Sequence, residues 1–96
     1  MSDKKISQQK KQAQLDEWKA EVDKLKAKLS GATAEAQVKM KEQIKSLEKK
    51  IAEGKGKLAE ISEASEDAWE SMKERVDAAW DSLKSRVNES IAKFKK

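Results

Sequence analysis

The stretch LSGATAEA, Leu29 to Ala36, decides how this chain folds. On its N-terminal side Leu15, Trp18, Val22, Leu25 and Leu29 recur at spacings of 3, 4, 3 and 4 residues. That is a heptad stripe, which keeps one face of a helix against a partner helix. On its C-terminal side Met40, Ile44, Leu47, Ile51, Leu58 and Ile61 resume the alternation in a register shifted by four residues. A four-residue insertion is a stutter, which a coiled coil absorbs by local unwinding. The stretch is then either an unwound turn of one long helix or a reversal. In the first case Ala32 and Ala36 extend the seam weakly; in the second Gly31 marks the turn and Thr33 caps a new helix. A helix-interior glycine costs only about 1 kcal/mol relative to alanine, too little to break a helix packed elsewhere. The expectation is one helix over about residues 4–62, with weak points at Gly31 and at Gly54/Gly56, where a hinge could form.

Further along, ISEASEDAW (Ile61 to Trp69) offers a better boundary. Ser62 and Ser65 are both good N-caps, and Glu66, Asp67 and Glu70 follow, where acids complement the positive end of the helix dipole. A turn there folds a last helix, about residues 65–95, back along the one before it.

That last helix is written in repeats. AWESMKERVDA (Ala68 to Ala78) and AWDSLKSRVNE (Ala79 to Glu89) are identical at six of eleven positions. Eleven residues are close to three turns of α-helix, so each copy returns to the same face. Trp69, Met72, Val76, Trp80, Leu83, Val87, Ile91 and Phe94 therefore stack in one narrow stripe. Lys73, Lys84 and Lys95 lie beside one edge, Arg75, Arg86 and Lys93 lie further out on the other, and acids gather on the polar face. Basic side chains so placed can lay their stems along apolar surface and keep their heads wet. The layout resembles the lipid-associating helices of exchangeable apolipoproteins. A stripe of this kind more often forms a helix–helix seam, in which tryptophans fill a core.

Composition agrees with long solvated helices. Of 96 residues, 42% are charged and 36% hydrophobic, with no proline, and that profile suits helices better than a compact globule with a thick core. A core at this size is marginal, so self-association or an external apolar surface would supply missing burial. The net charge of +4 lies wholly before Ser65, since seven basic and seven acidic side chains balance from there on. Cysteine is absent, the N-terminal MSDKKISQQKKQAQ has no apolar h-region, and no run is long enough for a membrane span. The default location is the cytoplasm.

The run Ser65 to Phe94, behind a lysine- and glutamate-rich coiled-coil half, resembles a family of small bacterial coiled-coil proteins linked to stress response or of uncharacterised role. The pattern is a serine, one variable residue, Asp-Ala-Trp-Glu, then a second Ala-Trp eleven residues on. Ser65, Asp67, Ala68, Trp69, Glu70, Ala79 and Trp80 meet it, and QLDEWKAEVDKLKAK (Gln14 to Lys28) resembles the family's first half. The family has a plain alanine- and lysine-rich helix where this chain carries Gly31. The resemblance implies no catalytic residues and a role in a bacterial stress response.

Chemistry is hard to place here. Histidine and cysteine are both missing, which removes the usual general base, thiol nucleophile and zinc ligands. Glu66, Glu70 and Glu74 share a face but point to solvent. The Ser-x-x-Lys pairs and EGKGK lack the surrounding residues that catalysis or phosphate binding needs. Val38 to Lys57 carries seven lysines against three acids, yet has no arginine for base readout and no aromatic for stacking. No catalytic residue, cofactor, metal, small-molecule substrate or specific nucleic acid is expected.

The fold expected is all-α: a long coiled-coil helix followed by a shorter antiparallel amphipathic helix, with a three-helix bundle broken near Gly31 as the alternative. The function expected is non-enzymatic, in a self-associating helical protein. The interaction face comprises Trp18, Val22, Leu25 and Leu29 together with Trp69, Met72, Val76, Trp80, Leu83, Val87, Ile91 and Phe94. The partner is a second copy of the chain or, failing that, an anionic membrane surface. A conditionally folded hydrophilic protectant is the remaining reading, because late-embryogenesis-abundant proteins also use eleven-residue repeats.

Overall fold

The computed structural model describes residues 3–94 and contains three helices: α1 (Asp3–Leu29), α2 (Ala34–Glu63) and α3 (Glu66–Phe94). Lys95 of the expected basic edge lies outside the described residues. The molecule is a rod of 52 × 19 × 19 Å, about the length of one 30-residue helix. Short turns make α1 and α2, and then α2 and α3, antiparallel neighbours. α1 packs most extensively on α2 and least on α3.

The single long helix expected over residues 4–62 is therefore corrected to two helices, and the three-helix alternative describes the fold. The reversal spans Ser30 to Thr33. Gly31 does not force it: no glycine has a positive φ, and a Cβ there would come no nearer than 3.8 Å, to the Lys28 carbonyl. Side chains hold the corner instead. Thr33 caps α2, its Oγ1 accepting from the Ala36 N–H at 3.3 Å. Gln37 Nε2 donates to the carbonyls of Leu29 (3.0 Å) and Ala32 (3.3 Å), tying the end of α1 to the start of α2. Within one chain a straight helix leaves both heptad stripes wet, and the reversal buries them against each other.

The second turn needs only Ala64 and Ser65. The Ala64 N–H donates to the carbonyls of Glu60 and Ile61 at 3.1 and 3.2 Å, which closes α2. Ser65 is the cap of α3: its Oγ accepts from the Ala68 N–H at 3.1 Å, and Glu66 and Asp67 follow in the first turn. Ser62 stays within α2, exposed.

No hinge forms at Gly54/Gly56; α2 runs through both. Gly54 is buried at the centre of the bundle, where an added Cβ would lie 2.8 Å from Leu15 Cδ2, 3.3 Å from Leu83 Cδ2 and 3.5 Å from the Trp80 ring. The missing side chain leaves room there for side chains of both α1 and α3. Gly56 faces open space.

Candidate interaction face

The eleven-residue repeat determines which face of α3 is apolar, and the bundle determines what that face meets. Trp69, Val76, Trp80, Leu83 and Val87 are buried, while Met72, Ile91 and Phe94 are half-buried. On α1, Trp18, Val22 and Leu25 are buried and Leu29 is half-buried. The twelve expected positions therefore form seams inside one chain. The main core joins Leu15, Trp18, Val22 and Leu25 of α1 to Ile44, Leu47 and Ile51 of α2 and to Trp80, Leu83 and Val87 of α3. Little is left over: among the described residues the large apolar side chains that stay exposed are Ile6 and Val38.

At the centre the rings of Trp18 and Trp80 stack, with centroids 5.4 Å apart and planes inclined by 19°. Stacking of this kind is worth about 0.5–1.5 kcal/mol beyond the area it buries. The Trp80 indole N–H donates to Gln14 Oε1, so the ring is satisfied at its polar edge as well.

Toward the α2–α3 turn the arrangement changes. Lys11 stands four residues before Leu15, on the seam itself, and is 7% exposed. Its ammonium donates to Ser7 Oγ and to Asp77 Oδ1, both at 2.7 Å, and sits 5.7 Å from the centroid of a Trp80 ring. Beyond it lies a smaller core of Ile61, Trp69 and Val76, with Met72 packed against it. Trp69 is 2% exposed, and its indole N–H has no hydrogen-bond partner among the described residues. Sequence spacing could have found Lys11 and Gly54, since both fall on the 3–4 alternation of their helices. It had no signal for Gln14 or Gln37, whose roles depend on neighbours brought in by the fold.

Charged side chains pair at the surface, both between helices and along α3. Arg86 pairs with Glu53 at 3.1 Å, Lys26 with Glu48 at 3.3 Å, and Lys73 with Glu70 at 3.1 Å and Asp3 at 3.6 Å. Glu70 first, and Asp3 after it, hold the Lys73 ammonium above its ordinary pKa. Pairs this exposed select a register more than they stabilise a fold. Between α1 and α2 an open groove runs over Leu15, Leu58 and Ala59, rimmed by Gln8, Gln12, Lys19 and Lys55. Among the described residues no group of three or more acidic, histidine or cysteine side chains could hold a metal ion, and no helix is long and apolar enough to cross a membrane. Compared with known proteins, the chain matches no family model, no curated protein and no solved structure.

Proposed function

We propose that this protein is a non-enzymatic, self-associating helical bundle of the cytoplasm, acting in a stress response as the resemblance of its C-terminal repeat implies. Its partners are helices, first of all those of a second copy. The observation that carries the reading is the use of the apolar stripes. From Leu15 to Leu25 and from Trp69 to Val87, the buried apolar residues are spent on helix–helix seams with coiled-coil spacing. A seam of this kind accepts a matching helix from its own chain or from another. Light scattering and circular dichroism melts from about 10 μM to 1 mM test it. A mass and a midpoint that rise with concentration are expected; a monomeric mass with an invariant midpoint overturns the reading.

One observation favours a second reading. The α3 stripe is unbroken from Trp69 to Phe94 and bordered by Lys73 and Lys84, the layout of a helix that lies in an anionic interface. α3 would have to leave the bundle to present it. Co-sedimentation with phosphatidylglycerol vesicles at low salt, lost in Trp80→Glu, is the expected sign. Absence of any vesicle effect disposes of it.

A further inference from the structure

The two turns are built differently, and the difference bears on how copies associate. We infer that α3 exchanges between two copies, the Ala64–Ser65 turn straightening so that α2 and α3 become one helix and each α3 docks on the α1–α2 pair of the other chain. This rests on the self-association reading and gives it a route.

Three observations carry it. The first is the backbone of the turn. Ala64 leaves the helix at φ −73°, ψ 139°, so its φ is already helical and the departure is in ψ. Neither Ala64 nor Ser65 is a glycine or a proline, and among the described residues no non-glycine residue has a positive φ.

The second is phase. Met40, Ile44, Leu47, Ile51, Gly54, Leu58 and Ile61 on α2, and Trp69 through Phe94 on α3, follow spacings of three and four with Ser65 midway between Ile61 and Trp69. On one straight helix of about 100° per residue they all fall on the same side. Such a helix would be about 90 Å long, more than twice the reach of α1, so one chain cannot cover it. A second copy, running antiparallel, supplies the matching surface for the other half.

The third is what exchange leaves unchanged. The Trp18–Trp80 stack, the Lys11–Asp77 pair, the Gln14 bond to Trp80 and the Arg86–Glu53 pair re-form between chains. The difference between closed monomer and exchanged dimer is then confined to the turn and to concentration. At the α1–α2 corner Gln37 and Thr33 brace a longer connection, so exchange belongs to the α2–α3 side. The smaller core beside that turn, with its unpartnered Trp69 indole and buried Lys11, is the looser end from which α3 can detach.

Two variants act on the turn alone. Glu66 is the first residue of α3 and exposed. Glu66→Pro is tolerated at that position, and it pushes Ser65 out of the helical region, which locks the turn. Ser65→Ala removes the cap and favours a continuous helix. One cap is about a five-fold factor, and two turns open per dimer, so Ser65→Ala should tighten dimerisation about 25-fold. Light scattering near 1 mM should find the unmodified chain dimeric and Glu66→Pro monomeric, with helicity and tryptophan emission unchanged. As a check independent of variants, isotope-labelled and unlabelled chains are refolded together and scored for contacts between Trp18 of one and Trp80 of the other. Interchain contacts support exchange. Dimers without them, or dimers indifferent to Glu66→Pro, overturn exchange while self-association stands. Monomers throughout, Ser65→Ala included, overturn both.

Discussion

Trp69 and Trp80 stand eleven residues apart on one face of one helix, in nearly identical sequence, and live in different surroundings. Trp80 stacks on Trp18, donates its N–H to Gln14 and sits beneath the Lys11 ammonium. Trp69 is as deeply buried, in a smaller cluster with Ile61, Val76 and Met72, its N–H unpaired among the described residues. α1 makes the difference. Near Trp80 it presents Leu15 and Trp18; near Trp69 it presents Asp3, Ile6, Ser7 and Lys10. A period determines the direction of a face, and the opposing helix determines its worth.

The largest expected effects come from the two rings themselves. Trp80→Ala should destabilise the bundle by about 3–5 kcal/mol, the usual range for emptying a packed aromatic site. Trp69→Ala should cost less, because a buried unpaired N–H, itself a penalty of about 1–3 kcal/mol, leaves with the ring. The sharper pair is Trp80→Phe against Trp69→Phe. The first loses a stack and a hydrogen bond; the second deletes an unsatisfied donor and should be near neutral. Urea unfolding of the four variants measures this, and equal losses at both sites would break the comparison.

Gly54 and Gly56 divide the same way within α2. Each alanine replacement gains about 1 kcal/mol of helix propensity. At Gly56 nothing opposes it, so Gly56→Ala should stabilise by about that amount. At Gly54 the new methyl meets Leu15 and Leu83, and overpacking of about 1–3 kcal/mol should reverse the sign. Thermal melts of the two variants should move in opposite directions; a shared direction would mean the three-helix contact is slack.

Lys11 tests the polar end. Its ammonium gives up hydration, while its partner Asp77 remains 55% exposed at the side chain and can rehydrate if the pair is lost. Replacing a buried ion pair by apolar volume is often neutral or stabilising. Lys11→Met keeps the stem and removes the charge, so stability should hold or rise by about 0.5–1 kcal/mol. A fall of more than about 1 kcal/mol would show that the cation over Trp80 and the Asp77 pair hold this end together.

Much of this was readable from spacing. The all-helical fold, the Ser65 cap and every position of the α3 stripe follow from periods of 3.5 and eleven. Ser65 could be trusted because cap and acidic first turn coincide there. The first reversal is not legible locally, because glycine as a breaker counts for only about 1 kcal/mol. The deciding terms were the burial of two stripes against each other and the Gln37 bridge, neither of which is local in sequence. Gly54 reads as a weakness for the same reason: a missing side chain signals either a hinge or a close approach, and only the neighbours distinguish them.

The smallest effects separate the two accounts of that corner. If side chains hold it, Thr33→Ala should cost about 1 kcal/mol, the usual worth of a cap. Gly31→Ala should then change stability by only a few tenths, because the backbone there needs no positive φ and the nearest contact is ordinary. If the glycine were the breaker, the order would invert: Gly31→Ala would drive residues 29–34 toward helix and extend the rod. Helicity by circular dichroism and a small-angle scattering length, read on both variants, distinguish the two. A Gly31→Ala protein that keeps the short rod leaves Thr33, Gln37 and the buried seams as the reason the chain turns.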